Sequence, residues 1–264
     1  MGLTASTFLQ FYSTPSGGGF GDPHLKTWSG QTYDYHGECD LILCSSDGFA
    51  NGQGLDIHIR TTIRKNWSFI SAAAVRIGNS ILEVHSFGKY YVDGVEAAPL
   101  NQDFGGFRIA REVGKEGHAH QFHISTDEGK IEVRVFKDFI GVFIRNAKAT
   151  GFGESVGLMG NYYSSAWLLR DGETMATDPN IFGGEWQVQD HEHQLFVEPS
   201  TVAYPDKCRL PDVSAQKARR RLEESEITVE MAIEACKEWL EDKDLCINDV
   251  LLTDDLDVAL AGAY

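Results

Sequence analysis

From Leu55 to Arg64 the chain alternates in polarity: Leu55, Ile57, Ile59 and Ile63 fall on one side, Asp56, His58, Arg60 and Arg64 on the other. A period of two belongs to a strand with one buried face and cannot serve a helix. Ile131, Val133 and Val135 alternate with Glu132 and Arg134 in the same way. Turn formers punctuate these runs at Gly78-Asn79, Asp93-Gly94, Gly105-Gly106, Gly114 to Gly117 and Asp127-Glu128-Gly129. Intervals of roughly 8–12 residues between turns point to an antiparallel sandwich or barrel. The pattern predicts strands near residues 33–44, 55–64, 68–77, 80–86, 89–93, 106–113, 119–125, 130–136 and 139–146.

Composition sets the limits. At 264 residues, 42% of them hydrophobic, the chain has enough apolar surface to bury a core and is too rich for a disordered segment. No apolar run approaches the ~20 residues of a membrane helix. The net charge of −16 argues against a nucleic-acid surface, because phosphate would be repelled. Residues 1–19 read as an arm, with Ser13 to Gly19 as a flexible joint, and carry no recognisable secretion signal. Residues 20–197 read as the β domain. Residues 198–264 read as a helical extension with 16 acidic and 8 basic side chains. Helices are predicted over Ser214–Glu224 and Val229–Glu241, the second capped by Thr228 with Ile233, Cys236 and Leu240 inward. Thr253 is predicted to cap a third, with Leu256 and Leu260 on its inner face.

Three motifs carry a family resemblance. Gly21-Asp22-Pro23-His24, continuing through Trp28, Tyr33 and Tyr35 to Gly37-Glu38-Cys39, is similar to the opening of the von Willebrand factor type D domain. Gly157-Leu158-Met159-Gly160-Asn161-Tyr162 resembles that family's Gly-Asn segment, and Phe182-Gly183-Gly184-Glu185-Trp186-Gln187-Val188 its closing stretch. Together they cover about residues 20–208, and Cys246-Ile247-Asn248-Asp249-Val250 resembles extensions that follow this domain. The resemblance implies an all-β antiparallel two-sheet β-sandwich and an extracellular location, secreted or at the cell surface. It also implies a non-enzymatic structural or adhesive role within a larger secreted, matrix or surface protein. Partners would be other extracellular proteins or further copies of the chain.

By the same resemblance Cys39 pairs with Cys208, which leaves Cys236 and Cys246 as partners ten residues apart. The family's CGLC cysteines are here Val156 and Met159, so those bridges are lost as complete pairs. Cys44 is left over, either as a buried thiol or as one half of an intermolecular bridge. Asn66-Trp67-Ser68 forms a glycosylation sequon at Asn66 and favours the secretory route. The alternative is a reducing compartment with all five cysteines free.

Many members of the family bind Ca²⁺, a site that needs several oxygen ligands. Ser29, Tyr163, Leu168 and Leu169 stand where ligands are expected and Asn161 alone persists, with Asp171 and Asp178 as substitutes if a loop shifts. No cofactor is therefore expected, Ca²⁺ being the one candidate. Some members cleave themselves within the GDPH motif. Here that would place the cut at Asp22-Pro23, with the Asp22 carboxyl attacking its own carbonyl and His24 moving the proton to the prolyl nitrogen. The competing reading has Asp22 and His24 tie the first strand to the domain by hydrogen bonds. His118, His120 and His123, and the pair His191 and His193 flanking Glu192, read as solvated histidines rather than a metal site. Arg219-Arg220-Arg221 reads as a solvated helix face. Besides the structural module, a self-processing domain and a lipid- or metal-binding carrier remain as alternative functions.

Overall fold

A computed structural model describes residues 14–21, 23–64, 67–100, 103–113, 119–164, 166–212, 227–238, 243–253, 255, 256 and 259. Its strands are β1 (Gly17–Phe20), β2 (His24–Lys26), β3 (Thr32–Asp34), β4 (Asp40–Ser46), β5 (Leu55–Arg64), β6 (Trp67–Ile77), β7 (Ser80–His85), β8 (Tyr90–Val92), β9 (Val95–Glu96), β10 (Ile109–Val113), β11 (Ala119–Ser125), β12 (Lys130–Phe136) and β13 (Phe139–Arg145). They form a seven-stranded sheet in the order β10-β11-β12-β13-β1-β2-β3 and a six-stranded sheet in the order β4 to β9. Neighbours pair antiparallel throughout. The result is an all-β sandwich of two sheets. Short helical segments α1 (Phe49–Gly52), α2 (Ala149–Phe152) and α3 (Pro179–Glu185) lie in its loops.

The alternation in β5 works as the sequence suggests. Leu55, Ile57 and Ile59 are fully buried and meet Ile131, Val133 and Val135 from β12 in one core. Ile63, expected on that face, is only half-buried. A bulge in β6 opposite Arg60 and Thr61 reverses which side chains face inward. Ile70 points into the main core with Ala73, Val75 and Ile77, while Phe69 turns outward into a second apolar cluster. The Asp93-Gly94 turn has positive φ at both residues, 50° and 78°, and joins β8 to β9 as a tight hairpin.

Three expectations need correction. The glycine run expected as a flexible joint is instead β1, paired on both sides between β13 and β2. Crowding is the reason: a Cβ at Gly18 would overlap the Val142 carbonyl oxygen, and one at Gly17 would come within 2.6 Å of the Lys26 carbonyl. Gly18→Ala is therefore expected to cost about 3 kcal/mol, read as a fall in denaturant midpoint, because the backbone itself must shift. The continuous strand expected over 33–44 is two strands in different sheets. The chain crosses between them at Tyr35-His36-Gly37, where the Tyr35 ring occupies the space a Gly37 side chain would need. The third correction concerns the C-terminus. Thr228 does cap α4 (Val229–Ala235), accepting from the Met231 amide at 3.3 Å, but the helix gives way at Cys236–Glu238 to a 3₁₀ turn. Its inner residues are Ala232 and Cys236, with Ile233 exposed. Thr253 is the last residue of an eleven-residue helix, α5 (Lys243–Thr253). Leu256 packs inward, whereas Leu260 and the predicted helix Ser214–Glu224 with Arg219 to Arg221 lie outside the described residues.

The disulfides join Cys39 to Cys208 and Cys236 to Cys246. Around Cys208 the chain still belongs to the sandwich: Arg209 and Glu38 exchange backbone hydrogen bonds of 2.8 and 3.2 Å, and their side chains form an ion pair. The α4–α5 unit seats Ala232, Cys236, Cys246 and Val250 against Phe69 and Phe139, with Phe20 alongside. Phe69 and Phe139 meet edge to face, 5.4 Å between centroids.

Candidate functional site at His24

The β1–β2 turn is held on three sides. Gly21, with φ +58°, donates to the Ile140 carbonyl at 3.3 Å and accepts from the Ile70 amide at 3.0 Å. Pro23 accepts from the Tyr35 amide at 3.3 Å. Asp22 lies outside the described residues. His24, only 5% exposed, opens β2. Its Nδ1 lies 2.6 Å from Asp34 on β3 and its Nε2 lies 2.8 Å from Asp249 on α5, 225 residues away in sequence. The Phe20 ring lies 5.4 Å from the imidazole.

The electrostatics follow from this enclosure. Burial alone would lower the pKa of His24, but hydrogen bonds and charges from Asp249 and Asp34 outweigh it and raise the value from 6.5 to about 10. His24 is therefore an imidazolium at neutral pH, donating from both nitrogens. The hydrogen bond from His24 in turn holds the Asp34 carboxyl below its usual range, against the opposing effect of burial. A carboxylate–imidazolium–carboxylate line thus pins the C-terminal helix to the first turn of the sandwich. Such a group can hold segments together or give up a proton, but it cannot accept one.

The candidate Ca²⁺ ligands are engaged locally. Asn161 Oδ1 accepts from the amides of Tyr163 and Ser164, at 3.0 and 3.1 Å. Asp171 accepts from the amides of Glu173 and Thr174 and from the Thr174 hydroxyl. Asp178 caps α3 through the amides of Asn180 and Ile181. Each closes its own turn, and no group of three His, Cys, Asp or Glu side chains suited to a metal ion forms among the described residues. Asn66 and His118 lie outside the described residues.

A second polar cluster lies on the outer face of the six-stranded sheet, beneath the segment 189–198. Asp56 accepts from Ser45, Arg76 and His193. Arg60 forks onto Asp40 at 2.7 and 2.8 Å and stacks on the Phe196 ring. Glu83 receives the Val197 amide, and Arg170 pairs with Glu192. Of the histidines expected in solvent, His193 is bound to Asp56, while His120 reaches Arg111 at 3.1 Å. His58 is fully enclosed here with no partner for Nδ1, and burial pushes its pKa down to about 4. Cys44 is equally buried. Burial, reinforced by the Asp56 charge, raises its thiol far above the ordinary range. It should resist iodoacetamide in the native protein and react as one equivalent after unfolding without reductant; native-state labelling would contradict this burial.

Asp249 is the residue that sequence reasoning missed as a partner of His24, since nothing local links positions so far apart. No protein-family model matches the chain, and no curated protein matches it.

Proposed function

We propose that this chain is a non-enzymatic structural and adhesive module of the type D kind, one part of a larger protein of the secretory route. The observation that carries the reading is the Cys39–Cys208 disulfide, which closes 169 residues of two-sheet sandwich into one cross-linked body. Covalent closure of this kind belongs to oxidising compartments. A rigid sandwich of short strands and exposed loops offers the stable surfaces that a holding function needs. The GDPH, Gly-Asn and closing Trp segments support the same reading through their similarity to the family. Peptide mapping without reductant, on material secreted from eukaryotic cells, tests it. Two bridges, one free thiol at Cys44 and a glycan at Asn66 are expected. Retention inside the cell with every thiol free would overturn it.

A second reading, a single self-cleavage at Asp22-Pro23, draws on the charged His24 beside Pro23. The Asp22 carboxyl would attack its own carbonyl carbon, the C–N bond would break as the prolyl nitrogen takes a proton, and water would open the resulting anhydride. Both His24 protons are committed to carboxylates, which favours the structural role. Incubation at pH 5–8 followed by N-terminal sequencing separates the two: a new terminus at Pro23 supports cleavage, and its absence throughout removes it.

A further inference from the structure

The sandwich and the α4–α5 unit are cross-linked separately. Cys39–Cys208 lies within the first and Cys236–Cys246 within the second, and Cys44 is the fifth cysteine, so no disulfide joins the two. Between Asp212 and Ile227 run fourteen residues, Val213 to Glu226, with neither glycine nor proline. What holds the unit in place is therefore non-covalent: an apolar rim of Phe20, Phe69 and Phe139 and the buried His24–Asp249 pair. Those two features make the seat selective, because a buried cation left without its carboxylate is strongly unfavourable. The seat needs an occupant, and among the described residues the segment that fits it in shape and charge is this one.

We propose that the α4–α5 unit exchanges between copies of the chain, the unit of one molecule seating on the Phe20–Phe69–Phe139 rim and His24 of another. The contacts are the same within one molecule or between two, so the balance is set by tethering. A tether of fourteen residues sets that balance through an effective concentration on the order of millimolar. Dilute protein stays closed on itself, while copies held together at comparable local density trade units and become linked. The inference extends the structural-module reading by naming a self-association surface. Its failure would leave attachment to other proteins untouched.

The test uses two full-length variants, Asp249→Lys and His24→Asp, each of which sets like charges against each other in its own latch. Mixed, the unmodified His24 of the first receives the unmodified Asp249 of the second, and the reciprocal pair is again of opposite charge. Each variant alone should be monomeric by light scattering and bind a hydrophobic dye. A 1:1 mixture at about 0.1 mM should give mixed dimers by native mass spectrometry, with dye fluorescence falling by more than half. A mixture that stays monomeric with unchanged dye binding overturns the proposal, as does a dimer that forms equally well from either variant alone. If a variant lacks native near-ultraviolet dichroism, the unmodified chain decides. Isotopically heavy and light samples incubated together at about 1 mM should yield heavy–light dimers, and monomers alone would overturn the proposal.

Discussion

Replacing Cys39 and Cys208 together by serine is expected to lower the free energy of unfolding by about 4–5 kcal/mol, whereas the same change at Cys236 and Cys246 costs about 3 kcal/mol. The difference comes from the unfolded chain. The first bridge spans 169 residues and the second 10, so the first removes far more of the freedom that the denatured ensemble would otherwise gain. The first also sits where the segment after the sandwich is laced to the residue before β4, through the paired backbone of Glu38 and Arg209. Its loss therefore loosens an edge of the six-stranded sheet as well. Guanidinium titrations of the two double variants measure both effects, and the first should also show a steeper denaturant dependence as its unfolded state expands. Equal losses from the two pairs would defeat this account. Double variants are required, since a single replacement leaves a reactive thiol free to reshuffle.

The parts of the molecule legible in the sequence are those whose side chains record their own burial. Leu55, Ile57 and Ile59 announce β5 because every second residue must be apolar, and Asp93-Gly94 announces its hairpin because both positions need positive φ. Gly17, Gly18 and Gly19 have no side chains to record anything. They form a strand in the middle of a sheet where neighbouring backbone leaves no room for a Cβ at Gly17 or Gly18 and the Leu25 side chain crowds one at Gly19, a three-dimensional fact with the same local appearance as a linker. The β6 bulge is also silent in sequence, although it alone decides that Phe69 supports the C-terminal unit rather than the core. At the candidate site, Gly21 to His24 stood out by motif, and Asp34 lies ten residues on. Asp249 could not be assigned to His24, because a contact across 225 residues depends on where a separate helical unit docks. The turn roles of Asn161, Asp171 and Asp178 were within reach. Each precedes by two or three residues the amides it binds, the spacing at which short polar side chains satisfy their own loops.

Stability is expected to peak near pH 6.5 and to fall on both sides for opposite reasons, each traceable to one buried histidine. His24 has its pKa raised from 6.5 to about 10, so the folded state holds the proton more tightly than the unfolded chain. Its contribution is complete below pH 6.5, shrinks as the pH rises, and is gone beyond about 10. The span corresponds to a loss of about 5 kcal/mol. His58 behaves in reverse. Its folded pKa is pushed down to about 4, so the unfolded chain takes up the proton first, and stability falls between pH 6.5 and 4 by about 3 kcal/mol. Around it, the negative charges of Asp56 and Glu192 favour the charged form while His193 and Arg76 oppose it, and enclosure outweighs them all. Asp34, held low by His24, adds to the acid limb only below its ordinary value of 3.8. Urea midpoints taken from pH 4.5 to 9.5 trace the curve, and two variants take it apart. His24→Gln should flatten the alkaline limb and lower the whole curve, because Asp34 and Asp249 then face each other without a cation. His58→Leu should flatten the acid limb and raise stability at pH 5, since it removes a buried ring nitrogen that has no partner. A wild-type curve level between pH 6.5 and 9.5 would mean that the imidazolium does not hold the C-terminal helix to the sandwich.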